Sequence, residues 1–252
     1  MSVTTDKKKS AEGGFVEIVK IVVQALLIAV VIRTVLFQPF NIPSGSMEKT
    51  LLVGDYLFVS KYAYGYSRHS LPFSPPIGEG RLFGAMPKRG DIAVFKLPTD
   101  NSTDYIKRVI GLPGDRIQMM DGVLIINGKP VPKERLDDYV ERLSDGQTRR
   151  IPRYRETLDN GVSYDVLDMV ENGFLDNTPV YTVPEGHLFM MGDNRDNSTD
   201  SRVQSAVGYV PFDNLVGRAE LLFFSVERGE PAWAVWKWPW TVRWSRIGTS
   251  LR

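Results

Sequence analysis

The chain has 252 residues, and its 31 Lys plus Arg against 30 Asp plus Glu give a formal charge of +1, which argues against a nucleic-acid binder held by a broad basic surface. It holds no cysteine and two histidines, His69 and His187, which excludes a thiol nucleophile, an iron–sulfur cluster, a cysteine-ligated zinc and any disulfide. Any catalysis must rest mainly on Ser, Thr, Lys, Asp, Glu, Tyr or Arg, within a chain long enough to bury a real core.

Residues 1–14 are polar and small, carry the run Lys7-Lys8-Lys9, and predict a tail without a packed element. From Phe15 to Phe37 the chain is mostly Ile, Val, Leu, Ala and Phe; between Ile21 and Ile32 the one polar residue is Gln24. The stretch approaches the ~20 residues that span a bilayer. Lys20 and Arg33 bracket its centre and can snorkel toward headgroups, and Pro39 ends it. No small-x-small cleavage site follows, so an uncleaved signal anchor is favoured over a removable leader or a buried core helix. The lysine run places the N-terminus on the cytoplasmic side and the long remainder outside.

Beyond Phe40 the pattern changes to short runs rich in β-branched and aromatic residues: Asp55–Ser60, Asp91–Lys96, Tyr105–Ile110, Val123–Ile126, His187–Met191, Val207–Val210 and Ala219–Phe224. Turn signals separate them, among them Arg89-Gly90-Asp91, Pro113-Gly114-Asp115 and the hairpin dipeptide Asn127-Gly128. These predict a mainly antiparallel β domain with long loops. Residues 62–90, crowded with Gly, Pro and aromatics, predict an ordered surface loop. Residues 133–160 carry 14 charged side chains in 28 and predict a solvated excursion with no catalytic signal. All five tryptophans (Trp233, Trp236, Trp238, Trp240 and Trp244) fall near the C-terminus among Lys237, Arg243 and Arg246, a composition suited to a membrane interface.

Three segments could carry chemistry. In Pro43-Ser44-Gly45-Ser46-Met47 a serine beside glycine can aim its hydroxyl and its backbone N–H at one point, as an acyl-transfer nucleophile requires. A base is needed: His69, His187 or a lysine made neutral by burial, for which Lys107, in a strand with Tyr105 and Val109 on its face, is well placed. The third segment, Gly192 to Arg202, is dense in loop-fixing polar groups; as a calcium loop it fails, with Arg195, Ser198 and Gln204 at ligand or glycine positions.

Together these motifs, in this order, resemble the bacterial type I signal peptidases (leader peptidases). The resemblance covers the anchor, residues 40–66, 89–118 and 186–224, and Ser245–Gly248. It implies an antiparallel-sheet catalytic domain with a β-rich inserted subdomain, preceded by one N-terminal transmembrane helix. The expected division is a tail at 1–14, the anchor at 15–37, and an exported domain at 38–252 with its core at about 38–120 and 185–252 and an insertion at about 121–184.

The resemblance also implies a serine/lysine dyad, with Ser46 as nucleophile and Lys107 as general base. Ser44 would join the Ser46 N–H at the oxyanion. Ser198 would orient the Lys107 amine, Asp200 and Arg202 would brace that loop, and Asp200 would pair Arg108. Phe40, Ile42, Met47, Leu51, Tyr105 and Ile106 would line two shallow pockets for small side chains. No cofactor, metal or nucleic acid is implied. The partners would be exported preproteins with signal peptides and the lipid bilayer, and the address the bacterial inner membrane with the catalytic domain on its outer side. Lys49 departs from the proline common at that position, and one apolar segment is present where some relatives carry two. Two other classes use related features: a self-processing Ser/Lys peptidase, which the anchor disfavours, and a tethered non-catalytic β-domain, which the joint presence of Ser46, Lys107 and Ser198 disfavours.

Overall fold

The computed structural model describes residues 6–71, 74–75, 78, 80–142 and 147–251, with only the backbone described for residues 6–14 and Arg142. Helix α1 runs from Asp6 to Val31 and continues through a π-helical turn, Ile32–Leu36, directly into strand β1, Phe37–Asn41. It begins well before Phe15, inside the expected tail: Lys, Ala and Glu are good helix formers, and no proline interrupts them. Phe15–Leu36 forms a 22-residue apolar span of mean hydropathy 2.6 with none of its side chains buried. At 1.5 Å per residue it is about 33 Å long, enough to cross a bilayer. Exposure along the whole span rules out the buried core helix.

The remaining strands are β2 (Asp55–Ser60), β3 (Ile92–Lys96), β4 (Asp104–Gly111), β5 (Arg116–Met120), β6 (Val123–Ile126), β7 (Lys129–Pro130), β8 (Lys133–Arg142), β9 (Thr148–Thr157), β10 (Ser163–Leu167), β11 (Tyr181–Thr182), β12 (His187–Met191), β13 (Val210–Pro211) and β14 (Leu215–Ser225). They form a seven-stranded sheet in the order β1-β2-β14-β3-β4-β12-β13, a four-stranded sheet β11-β5-β6-β7 and a three-stranded sheet β10-β9-β8. Every ladder is antiparallel. Pro39 lies within β1, where the edge position lets its missing N–H face away from the ladder. Asn127 and Gly128, both at positive φ (53° and 77°), make the turn between β6 and β7.

The large sheet is covered on both faces. Ile92 and Val94 of β3 pack with Leu57, Val59, Val216 and Leu222 on one side; Ala93 and Phe95 pack with Val109, Leu188, Met190 and Leu215 on the other. Burial on both faces explains why β3 reads as an unbroken apolar run. A third cluster joins the small sheets to the large one through Ile110, Ile117, Val166, Phe189 and Met191.

Two expectations need correction. Val207–Val210 is not a strand: the chain turns at Gly208 (φ 59°), and Val210 alone enters β13. Residues 133–160 are not a bare excursion but the long β8–β9 hairpin, in which opposite charges face one another, Arg149 to Glu141 at 2.6 Å for example.

Candidate active site

Ser46 sits in a 3-10 turn, Gly45–Met47, that follows the end of β1, and Lys107 lies in the middle of β4 opposite Ala93 of β3. Both are buried, Ser46 at 8% and Lys107 at 3% exposure, and Lys107 Nζ stands 2.6 Å from Ser46 Oγ. The same Nζ donates to its neighbour's carbonyl, Ile106 O, at 3.0 Å and lies 5.2 Å from the centre of the Tyr105 ring. Burial pushes the Lys107 amine down to about 8, and the carboxylates of Asp200 and Asp193 offset part of that effect. The Ser44 hydroxyl lies 3.5 Å from Ser46 Oγ. Neither histidine is at the site: His69 meets Arg68 and Ser74, and His187 meets Glu185 O.

The loop after β12 closes over this pair because β12 neighbours β4 in the sheet, with Met191 opposite Arg108. Asn194 holds the serine turn, its N–H donating to Ser46 O at 3.1 Å and its Nδ2 to Gly45 O at 3.0 Å. Gly192 could carry no side chain here, since a Cβ would lie 2.2 Å from Ser198 Oγ and 2.6 Å from Ser46 O. The absent side chain leaves Ser198 close to the Ser46 carbonyl, while the Ser198 hydroxyl donates to Asp200 Oδ2 at 2.8 Å.

Arg108 does not pair with Asp200. It makes a two-pronged contact with Asp193, Nε to Oδ1 at 2.9 Å and Nη2 to Oδ2 at 2.6 Å, and Thr50 donates to the same carboxylate at 2.5 Å. Asp200 pairs with Arg202, at 2.9 Å from both Nε and Nη2. The alternation of β4 aims Arg108 to the face where the first residues of the loop arrive, and Asp193 comes before Asp200. Nothing in the local sequence distinguishes Gly192, Asp193 and Asn194 from their polar neighbours; the signal that points to them is the position of their motif directly after the strand that neighbours the lysine strand.

Five of the six expected substrate-lining residues come together: Ile42, Met47 and Leu51 are buried in one cluster with Phe40 and Ile106 against it. Tyr105 packs with the cluster on the opposite face. Met47 and Leu51 have no exposure, so they form the floor of the site and not its open walls.

The charged hairpin reaches the turn that carries Ser46. Tyr139 Oη donates to Glu48 Oε1 at 3.3 Å, and burial together with nearby Glu141 raises the Glu48 carboxyl above its ordinary value. Next to it Lys49 holds φ 83°, a left-handed backbone that a proline ring cannot adopt. Lys49→Gly should therefore stabilise the chain by about 1 kcal/mol and Lys49→Pro should destabilise it by more. Urea unfolding of both variants checks the pair, and a stabilising proline would show that the turn is shaped differently.

Three carboxylates, from Asp168, Asp176 and Asp196, approach within 4.8 Å of one another. Lys133 Nζ already meets Asp168 at 2.7 Å, and Asp196 accepts from the N–H groups of Met169 and Val170 at 2.6 and 2.9 Å. Those contacts give the acidic group a structural use.

A family model described as signal peptidase, peptidase S26, matches residues 15–224. The signal peptidase I of Rickettsia typhi (strain ATCC VR-144 / Wilmington) is 44% identical over 210 residues, covering 80% of this chain and 77% of that protein. That of Rickettsia massiliae (strain Mtu5) is 41% identical over 232 residues, covering 89% and 82%. A solved signal peptidase I from Enterococcus faecalis V583 is 27% identical, with a TM-score of 0.31, covering 53% of this chain and 97% of its own. The match over most of the chain settles the family: this protein belongs to the signal peptidases, peptidase family S26.

Proposed function

We propose that the chain is a membrane-anchored serine endopeptidase that removes N-terminal signal peptides from exported preproteins, with Ser46 as nucleophile and Lys107 as general base. The observation that carries the roles is the 2.6 Å contact between Ser46 Oγ and a buried lysine amine. Neutral Lys107 takes the Ser46 proton as Oγ attacks the carbonyl before the scissile bond. The Lys107 ammonium gives that proton to the amine of the mature chain as the C–N bond breaks, and the amine of Lys107, neutral again, deprotonates the water that releases the signal peptide from Ser46. The Ser46 N–H and the Ser44 hydroxyl stabilise the oxyanion. The expected bond from Ser198 to the Lys107 amine is not among the contacts of the described residues: the Ser198 hydroxyl donates to Asp200, so Ser198 braces the serine turn, and the pairs Asp200–Arg202 and Asp193–Arg108 hold the loop that carries Ser198. The small-x-small preference is what family membership implies, and the apolar cluster of Ile42, Met47 and Leu51, with Phe40 and Ile106 against it, supports an apolar subsite of that kind.

Placement at the bilayer supports the same reading. Ser46 follows Phe37 by nine residues, so it lies within ~30 Å of the membrane even on an extended chain. A chain of ring contacts leads from the anchor's exit across the sheet: Phe37 to Phe58 at 6.3 Å, Phe58 to Phe223 at 4.3 Å, Tyr56 to Phe223 at 6.2 Å and to Phe224 at 6.0 Å, and Phe224 to Trp238 at 5.0 Å. It ends at the segment where Trp233, Trp236, Trp240 and Trp244 are 56–77% exposed. This C-terminal segment docks on the lipid interface, on the outer side of a bacterial inner membrane, with the lysine-rich N-terminus in the cytoplasm.

Ser46→Ala should lower cleavage of a synthetic signal-peptide substrate by at least about 10⁴-fold while leaving the circular dichroism unchanged. Undiminished cleavage by that variant would end the assignment of the nucleophile.

A further inference from the structure

The segment between β2 and β3 takes no part in the chemistry above, yet its tip exposes large apolar side chains: Leu82 at 70% and Phe83 at 86%. The tip is firmly built. Tyr66 and Leu82 exchange backbone hydrogen bonds, each of 2.9 Å. From beneath, the Arg81 guanidinium donates to Tyr64 O at 2.8 Å, Phe212 O at 3.0 Å and Leu215 O at 2.6 Å. Gly65, at φ 77°, lets the tip pack directly on backbone, because a Cβ there would lie 2.3 Å from Leu82 O and 2.5 Å from Phe83 O. Phe83 itself holds φ 54°, an uncommon conformation for a bulky residue. The fold therefore holds Leu82 and Phe83 outward at a conformational cost.

Their location gives that exposure a use. The Tyr66 hydroxyl donates to Val35 O at 2.7 Å, which ties the base of the tip to the last turn of the apolar span. Val35, Leu82, Arg68 and Arg81 line one cavity of about 630 Å³. Apolar groups beside the Arg68 guanidinium, at the level where the anchor leaves the bilayer, match acyl chains below phosphate headgroups.

We propose that the Leu82–Phe83 turn is a second, rigid lipid contact, which enters the bilayer interface beside the anchor and, with the Trp-rich segment, fixes the height of the catalytic pair above the membrane. The proposal rests on the reading of Phe15–Leu36 as a membrane span.

The cysteine-free sequence allows a single nitroxide label at any chosen position. The full chain, in vesicles of phosphatidylethanolamine and phosphatidylglycerol, would carry the label at Phe83→Cys, at Ile28→Cys within the span, or at Phe174→Cys, a 94% exposed site between β10 and β11. Labels at 83 and 28 should be shielded from a water-soluble relaxing agent and open to oxygen, with the label at 174 the reverse. A label at 83 that behaves like the one at 174, while 28 is shielded, overturns the proposal alone; an exposed label at 28 overturns the membrane span as well. In a second arm, Leu82→Ser/Phe83→Ser should cleave a short soluble peptide at the normal rate and a membrane-inserted preprotein several-fold more slowly. Equal rates on the preprotein would refute the positioning role.

Discussion

Lys107→Met should abolish signal-peptide cleavage and at the same time raise stability at neutral pH. The amine is 3% exposed and its proton is held with a value near 8 in place of 10.5. That difference corresponds to roughly 3 kcal/mol of disfavour for the charged form in the folded state. Loss of the contact to Ser46 returns about 1 kcal/mol, so a methionine of similar volume should gain about 2 kcal/mol at pH 7. The sign follows from proton counts. Between pH 8 and 10.5 the unfolded chain binds more protons at this lysine than the folded one, so wild-type stability rises with pH across that window. The penalty is fully present below pH 8, and the advantage of the variant should shrink as pH climbs past that value. The wild-type cleavage rate should rise about tenfold per pH unit below the same midpoint, as the neutral amine becomes available. Urea titrations of both proteins at several pH values test the claim; a pH-independent difference would remove burial of the charge as its cause.

The second large effect lies away from the dyad. Glu156→Ala should destabilise the chain by about 3–5 kcal/mol and lower turnover as well. Glu156 on β9 and Arg195 in the active-site loop meet through two parallel contacts of 2.6 and 2.5 Å, with side-chain exposures of 1% and 3%. Tyr164 donates to the same carboxylate at 2.8 Å. Truncating Glu156 leaves a buried guanidinium without its counter-charge. Arg195 O accepts from Arg202 at 2.6 Å, so the disturbance travels to the Asp200–Arg202 pair behind Ser198. The double variant Glu156→Leu/Arg195→Met should recover most of the stability, because an apolar pair of similar size removes both charges together. A urea midpoint for Glu156→Ala within error of wild type would mean that water reaches Arg195 and that the hairpin does not brace the loop.

That pair also marks where the sequence stops being readable. The strands around Ser46 and Lys107 were legible because β-branched runs and glycine turns are local signals. The β8–β9 hairpin was hidden, because its charges are neutralised across strands, a partnership that no single strand displays. The choice of Asp193 for Arg108 was equally hidden. Asp193, Asp196 and Asp200 are chemically alike in sequence, and only the β4–β12 register decides which one meets the guanidinium. Tyr139 at Glu48 and the left-handed Lys49 belong to the same class, being products of long-range packing. Neither Ser46 nor Lys107 is distinctive in its own segment; the order of the motifs along the chain points to them, and their 2.6 Å contact requires the sheet.

The position of β14 has a consequence for when activity can arise. It is the last long strand of the chain, yet it lies between β2 and β3 in the middle of the large sheet. Ser46 follows β1 on one side of it and Lys107 belongs to β4 on the other. During synthesis the anchor and the first strands emerge long before residue 215, so the two halves of the dyad must wait for the C-terminal strand to slot between them. Such non-local pairing slows folding. The sheet that brings Ser46 and Lys107 together is therefore completed only once residues 215–225 have been made.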